Sequence, residues 1–382
     1  MDAPTVKSAR NLDGVVAAST RLSHVDGQAG QLTIAGYALE EVAGRVSFEE
    51  LAHLLWTGSL PAPDEVAEIS REMARLRPLP AKTLEVVRTA AAVPPIDALR
   101  MACSTLSLDL KNPDDISPAA DLAAARLLTS RMPTALAAHI RAAQGLEPIA
   151  PRADLSHAAN FLYMVHGREP DPAAARALDT YWVTVMDHGL NASTFTARVI
   201  ASTRSDMVSA VTGAIGALKG PLHGGAPGPV LDMLLEIRSA DRAEAWLRNE
   251  LAAGRRIMGF GHRVYKVRDP RAEVLSRAAE SMSAARLENR QLYQLAREVE
   301  KIADRLLEEQ KPGRNLRTNV EFFTALVLQA LGLEPRTFVA MFACGRTAGW
   351  CAHVIEQRAE DHLIRPQSEY IGPKGLKLTR QR

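Results

Sequence analysis

The chain has 382 residues, enough for a large core and for two domains, or one domain with a lobe. Its 46 Lys+Arg stand against 44 Asp+Glu, a net charge of +2, so no global field gathers nucleic acid or anionic membrane, although clustered arginines could still hold a small anion. The hydrophobic fraction of 47% is in the globular range, aromatics are sparse and alanine is abundant, which favours helices over sheets.

In chain order, the segment around Val15-Val16 and the stretch 31–37, with Leu32 and Ile34 on one face, are predicted short strands. Ser47-Phe48-Glu49-Glu50 is a capping box, followed at helical spacing by Leu51, Leu54 and Leu55 until Gly58 ends the run. Asp171-Pro172 puts an acidic cap and a first-turn proline before a helix running towards Met186. Asp206 opens another through Met207, Val211 and Leu218, stopped by Gly220-Pro221. Residues 291–309 are periodic at Leu292, Leu295, Val299, Ile302 and Leu306, and Pro335 is predicted to start a long helix carrying Phe338, Phe342, Trp350 and Val354. The fold class expected is therefore mostly α. Loops rich in Gly and Pro fall at 219–229, 259–270 and 310–315, and two of them carry histidine. Cys103, Cys344 and Cys351 make no disulfide framework and fit reduced thiols in a cytoplasmic protein. Residues 1–12 have no apolar core and no run approaches about 18 uninterrupted apolar residues, so neither a secretory signal nor a membrane span is expected.

Four clusters could carry chemistry. The first is Asp187-His188-Gly189-Leu190-Asn191-Ala192-Ser193-Thr194, where His188 taken alone reads first as a structural residue near a helix end. The second, Gly220-Pro221-Leu222-His223-Gly224-Gly225-Ala226, sets a histidine between a helix stop and two glycines that let backbone and ligand approach closely. The third is Met258-Gly259-Phe260-Gly261-His262-Arg263-Val264-Tyr265-Lys266 with Asp269-Pro270-Arg271. Its cations suit a ligand bearing phosphate or carboxylate, and a solvated basic loop is the plain alternative. The fourth runs from Asn319-Val320-Glu321-Phe322-Phe323 to Gly345-Arg346-Thr347-Ala348-Gly349-Trp350 and Ile364-Arg365-Pro366; its Glu321, between apolar residues, is either a paired buried acid or a catalytic one.

Together, in this order, the clusters resemble the citrate synthase family, which includes 2-methylcitrate synthases. The resemblance covers nearly the whole chain. It begins at Leu12-Asp13-Gly14-Val15-Val16-Ala17-Ala18, continues through Phe48-Glu49-Glu50-Leu51-Ala52-His53-Leu54-Leu55-Trp56 and Ala158-Ala159-Asn160-Phe161-Leu162-Tyr163-Met164, and ends at Tyr370-Ile371-Gly372-Pro373. The paired His223 and His262 motifs are its most specific part. It implies a two-domain helical fold: a large domain of residues 1–222 and 327–382, and a small domain of 223–326 inserted in it, with a cleft that closes around the reaction.

By position in the family motifs, Glu321 would be the base that takes the acyl α-proton, His223 would donate to the enolate oxygen as neutral imidazole, and His262 would polarise the ketone of oxaloacetate. His188, Arg271 and Arg346 match oxaloacetate-binding positions, and Arg365 matches an arginine supplied by the second subunit of a homodimer with shared sites. Lys266 matches a position against a coenzyme A phosphate, with the backbone of Gly259, Phe260 and Gly261 near the adenine. The coenzyme A thioester is a co-substrate, no cofactor is tightly bound, and no paired metal-ligand spacing links the histidines, so no metal is expected. The chain departs from the family at Glu321, where aspartate is usual, at Val185 and Gly189, where many members have histidine and glutamate, and at 34–37, which lacks a common arginine. Acetyl-CoA giving citrate is the first reading. Propionyl-CoA giving 2-methylcitrate is the alternative, as is a catalytically weak paralogue that binds oxaloacetate or coenzyme A as a sensor.

Overall fold

The computed structural model describes residues 12 and 14–377 apart from 111, 113, 225, 226 and 285. Asp13, Gly225 and Ala226 of the motifs above, and residues 1–11, lie outside the described residues. An N-terminal antiparallel sheet holds β1 (Ser23–Asp26), β2 (Gln31–Ile34) and β3 (Tyr37–Ala38) in that order, with Ser23 opposite Ile34 and Thr33 opposite Ala38. Helices follow: α1 (Leu39–Val42), α2 (Phe48–Thr57), α3 (Pro63–Leu76), α4 (Ala81–Thr89), α5 (Pro95–Thr105), α6 (Pro118–Ala143), α7 (His157–His166), α8 (Pro172–Val185), α9 (Ala192–Ala201) and α10 (Met207–Leu218). The chain continues through α11 (Pro227–Ile237), α12 (Ala240–Ala252), α13 (Pro270–Ser283), α14 (Leu287–Gln310), α15 (Val320–Ala330) and α16 (Phe338–Glu360). The mostly helical architecture expected from composition is what the structure has.

Local signals set most helix starts. Ser47 and Glu50 form the reciprocal capping box of α2, and Gly58 closes it with φ of 88°. Asp171 and Asp206 cap α8 and α10 as expected. Two expectations fail. No strand forms at Val15-Val16; Val16 is 87% exposed, and β2 pairs instead with Ser23–Asp26, whose alternation is too short to stand out. Pro335 does not start the α-helix either. Residues Pro335–Thr337 form a 3₁₀ turn, in which the Thr337 hydroxyl donates to the Glu334 carbonyl, and the α-helix begins at Phe338.

Helix α16 is the centre of the core, touching α6, α8, α9, α10 and α2, with its own Trp350 and Trp182 of α8 fully buried. With its leading turn, Pro335–Glu360, it is among the described residues the one helix long and apolar enough to cross a membrane. Its apolar window is 83% buried inside the protein, as in a core helix. Helices α11 to α15 pack chiefly on one another, and α13 also packs on α8. The seam between these two groups of helices is where the motif residues meet.

Candidate active site

Three helix N-termini face this seam, each capped by a side chain and each offering its second residue to the site. Asn191 caps α9 by accepting from Thr194 N–H at 3.1 Å, and Ser193 follows. Asp269 caps α13 ahead of Pro270 and Arg271. Asn319 caps α15 and accepts from Glu321 N–H at 3.0 Å. The positive ends of these dipoles favour an anion between them.

The histidine tautomers follow from backbone donors. His223 Nε2 accepts from Ser193 N–H at 3.2 Å and lies 2.8 Å from the Ser193 hydroxyl. His262 Nδ1 accepts from Val264 and Tyr265 N–H, both at 3.1 Å. A nitrogen that accepts from an amide carries no proton, so His223 holds its proton on Nδ1 and His262 on Nε2. Burial pushes both imidazoles down to about 4, helped by Arg346 and Arg263 at His223 and by Arg271 at His262. Each is thus a neutral ring with one N–H left to give. Burial, then Arg271 and Arg346, hold His188 well below its usual value too. Its Nε2 lies 3.1 Å from the Tyr265 hydroxyl, and its ring meets that of His262 edge-on with centroids 5.6 Å apart.

The cations are held differently. Arg271 is buried in a bidentate pair with Asp269, at 3.0 and 2.7 Å, and its Nη2 reaches to 3.5 Å from His262 Nε2. Arg346 is 1% exposed. Its Nε donates to the Val185 carbonyl at 2.5 Å and its guanidinium lies over the Phe342 ring, but no carboxylate pairs with it among the described residues. Burial lowers it to about 10, which leaves a charged, desolvated cation beside the three helix ends. Glu321 is half-buried and its carboxylate makes no hydrogen bond among the described residues; burial raises it to about 7 against the pull of Arg271.

The loop 259–261 is bound to the cap of α15. Phe260 bridges Thr318, Gly261 N–H donates to the Arg317 carbonyl at 2.7 Å, and Asn319 N–H and Nδ2 donate to the Gly259 and Gly261 carbonyls at 2.9 and 3.0 Å. Gly259 has φ of 82°, and a Cβ there would sit 2.7 Å from the Phe322 ring. Lys266 is exposed, with Nζ 3.3 Å from the Arg263 carbonyl. Arg365 is exposed beyond α16 and makes no hydrogen bond or ion pair among the described residues, so the single chain does not bring it to the cluster.

Several participants went unassigned in the sequence. Ser193 orients His223 while accepting from Trp350 Nε1 at 3.1 Å, and Tyr265 packs against both His188 and His262. Behind His188, His353 Nδ1 lies 3.1 Å from Arg198 Nη1, a pure donor, so its Nε2–H donates to Asp187 at 3.0 Å. Burial works to raise the Asp187 carboxyl, but His353, Arg346 and Ser23 together hold it below its ordinary value. Ser193 and Tyr265 stood inside quoted motifs, whereas nothing in the sequence pointed to His353, whose partners lie more than 150 positions away.

The family model described as "Citrate synthase, C-terminal domain" matches residues 11–367. The chain is 41% identical over 367 residues to the citrate synthase of Deinococcus radiodurans, covering 96% of each chain. It is 39% identical over 382 residues to the 2-methylcitrate synthase of Mycobacterium tuberculosis, covering 97% of this chain and 93% of that one. Among solved structures it is similar to the citrate synthase of Thermoplasma acidophilum in ternary complex with carboxymethyl coenzyme A and oxaloacetate, with a TM-score of 0.90 and 29% identity over 98% of this chain and 99% of that one.

Proposed function

The chain belongs to the citrate synthase family, and from that premise we propose how its own residues condense an acyl-CoA with oxaloacetate to give citrate and free coenzyme A. Glu321 takes a proton from the acyl α-carbon while His223 Nδ1–H donates to the thioester oxygen that becomes the enolate. The enolate carbon then attacks the ketone carbon of oxaloacetate, whose oxygen takes the proton of His262 Nε2–H and stays on the product as its hydroxyl. Water next cleaves the carbon–sulfur bond, giving the new carboxylate and the thiol. Arg271, Arg346 and His188 hold oxaloacetate, and Arg365 of a second subunit completes the site in a homodimer. Lys266 takes a phosphate of coenzyme A, with Gly259, Phe260 and Gly261 beside the adenine. The segment 223–326 acts as the small domain, closing on the large domain of 1–222 and 327–382 to keep water out until the carbon–carbon bond exists.

The observation that carries this reading is the pair of neutral imidazoles, each with its acceptor nitrogen occupied by backbone amides, next to the buried Arg346, which has no carboxylate partner among the described residues. Such a set is suited to a dianionic keto acid and a developing enolate. The test is release of free thiol from acetyl-CoA and from propionyl-CoA, each with oxaloacetate. Oxaloacetate-dependent release from acetyl-CoA is expected; faster release from propionyl-CoA would assign the 2-methylcitrate reaction, and no release from either would overturn the condensation.

A further inference from the structure

The N-terminal hairpin touches both histidine loops at once. At its base, the Ser23 hydroxyl donates to Asp187 at 2.5 Å and accepts from Gly189 N–H at 2.7 Å, gripping both neighbours of His188. The preceding chain is anchored to α16, where Glu356 accepts from Arg21 N–H at 2.8 Å. At its tip, Asp26 accepts from Gln28 and Ala29 N–H at 2.9 and 2.8 Å, which shapes the turn. The Gly27 carbonyl then accepts from Lys266 N–H at 2.8 Å. The fit at the tip is close: a Cβ on Gly27 would lie 2.2 Å from the Val264 carbonyl oxygen, and one on Gly30 2.5 Å from the Val267 side chain. Val264 is one of the two residues whose amides set the His262 tautomer.

We propose that this hairpin is a strap that sets the spacing between the His188 loop and the His262 loop, with Ser23 and Gly27 as its positioning residues. It rests on the reading of both histidines as oxaloacetate ligands. Ser23 opens the paired strand Ser23–Asp26 and Gly27 follows it directly in the turn, so the short strand ties the two grips together. The Lys266–Gly27 hydrogen bond joins the hairpin to segment 223–326, so the tip is the point on the hairpin that meets loop 264–267.

The test compares Gly27→Ala, Ser23→Ala and Ser23→Thr with Gln28→Ala, an exposed turn residue that should behave as wild type. Gly27→Ala is expected to raise the oxaloacetate KM about tenfold or more, since displacement by ~1 Å in such a site is costly. The acyl-CoA KM should change less, and amides 262–268 should exchange faster with solvent while α16 stays protected. Ser23→Ala should act likewise through amides 187–191, and Ser23→Thr, which keeps the hydroxyl, should restore most of the affinity. A folded Gly27→Ala protein with wild-type exchange at 262–268, or with altered exchange and an unchanged oxaloacetate KM, would overturn the strap. If Gly27→Ala does not fold, the Ser23 pair decides, and failure of threonine to rescue counts against it. Should the wild type release no thiol, the condensation reading fails while the exchange measurement still decides the strap.

Discussion

Glu321 combines two demands that pull against each other. As a base it must be ionised, yet burial lifts it to about 7. The histidines are neutral throughout this range because burial and the arginines hold them near 4, so an acid limb in kcat/KM centred near pH 7 belongs to Glu321. We expect rates to rise through pH 7, and a limb near pH 4 instead would remove Glu321 from that role. Stability has the opposite sign. A carboxyl raised on folding contributes stability that is fully present at low pH and lost as pH rises through about 7, so Glu321→Gln should gain melting temperature over wild type at pH 8 more than at pH 6. The same variant should abolish thiol release. Glu321→Asp should lower it, because a side chain shorter by about 1.5 Å no longer reaches the α-proton. For the donors, His223→Ala should mainly cost enolate formation, while His262→Ala should also weaken oxaloacetate binding, each by about 2.7–4 kcal/mol in the barrier. Near-normal turnover in either folded variant would end the assignment. The residue types were legible in the sequence, but the tautomers were not, because they are set by Ser193, Val264 and Tyr265 amides whose placement is tertiary or depends on a loop turn.

At the scale of elements, caps do double duty. Asn319 starts α15 and also holds the loop 259–261, so the proposed base and the proposed nucleotide loop share one anchor. Gly259→Ala would force a left-handed backbone onto a residue with a Cβ and press it against Phe322. We expect a loss of about 1–3 kcal/mol in stability, seen as a lower melting temperature, together with a higher acetyl-CoA KM; an unchanged melt and KM would show that the loop tolerates the shift. Helix starts at Ser47, Asp171 and Asp206 were readable because a cap is a local bond between residues two or three apart. The strand at Val15-Val16 was misplaced because pairing needs a partner, and β-propensity alone does not name one.

For the whole molecule, the isolated chain leaves Arg365 exposed and Arg346 buried with no paired carboxylate among the described residues. A symmetric pair of chains that exchanges Arg365 would complete each site with a residue of the other. Mixed dimers formed from inactive Arg365→Ala and inactive His262→Ala chains should then recover up to about a quarter of wild-type turnover, since half the dimers are mixed and one of their two sites is whole. No recovery in mixed dimers, or an active monomer in sedimentation, would refute shared sites.

By itself the sequence determined the mostly helical fold, the caps at which α2, α8 and α10 begin, and the residues around which the site is built. These follow from hydrophobic period, short-range capping and a set of motifs whose order along the chain was specific enough to name the family. Only the tertiary structure decided that three capped N-termini converge, that His353 and Arg198 stand behind Asp187, and that one hairpin grips both histidine loops. The reason is range: a cap is settled within one turn of helix, whereas the Ser23–Asp187 and His353–Asp187 contacts join residues more than 160 positions apart, and only the packing of helices around α16 brings them together.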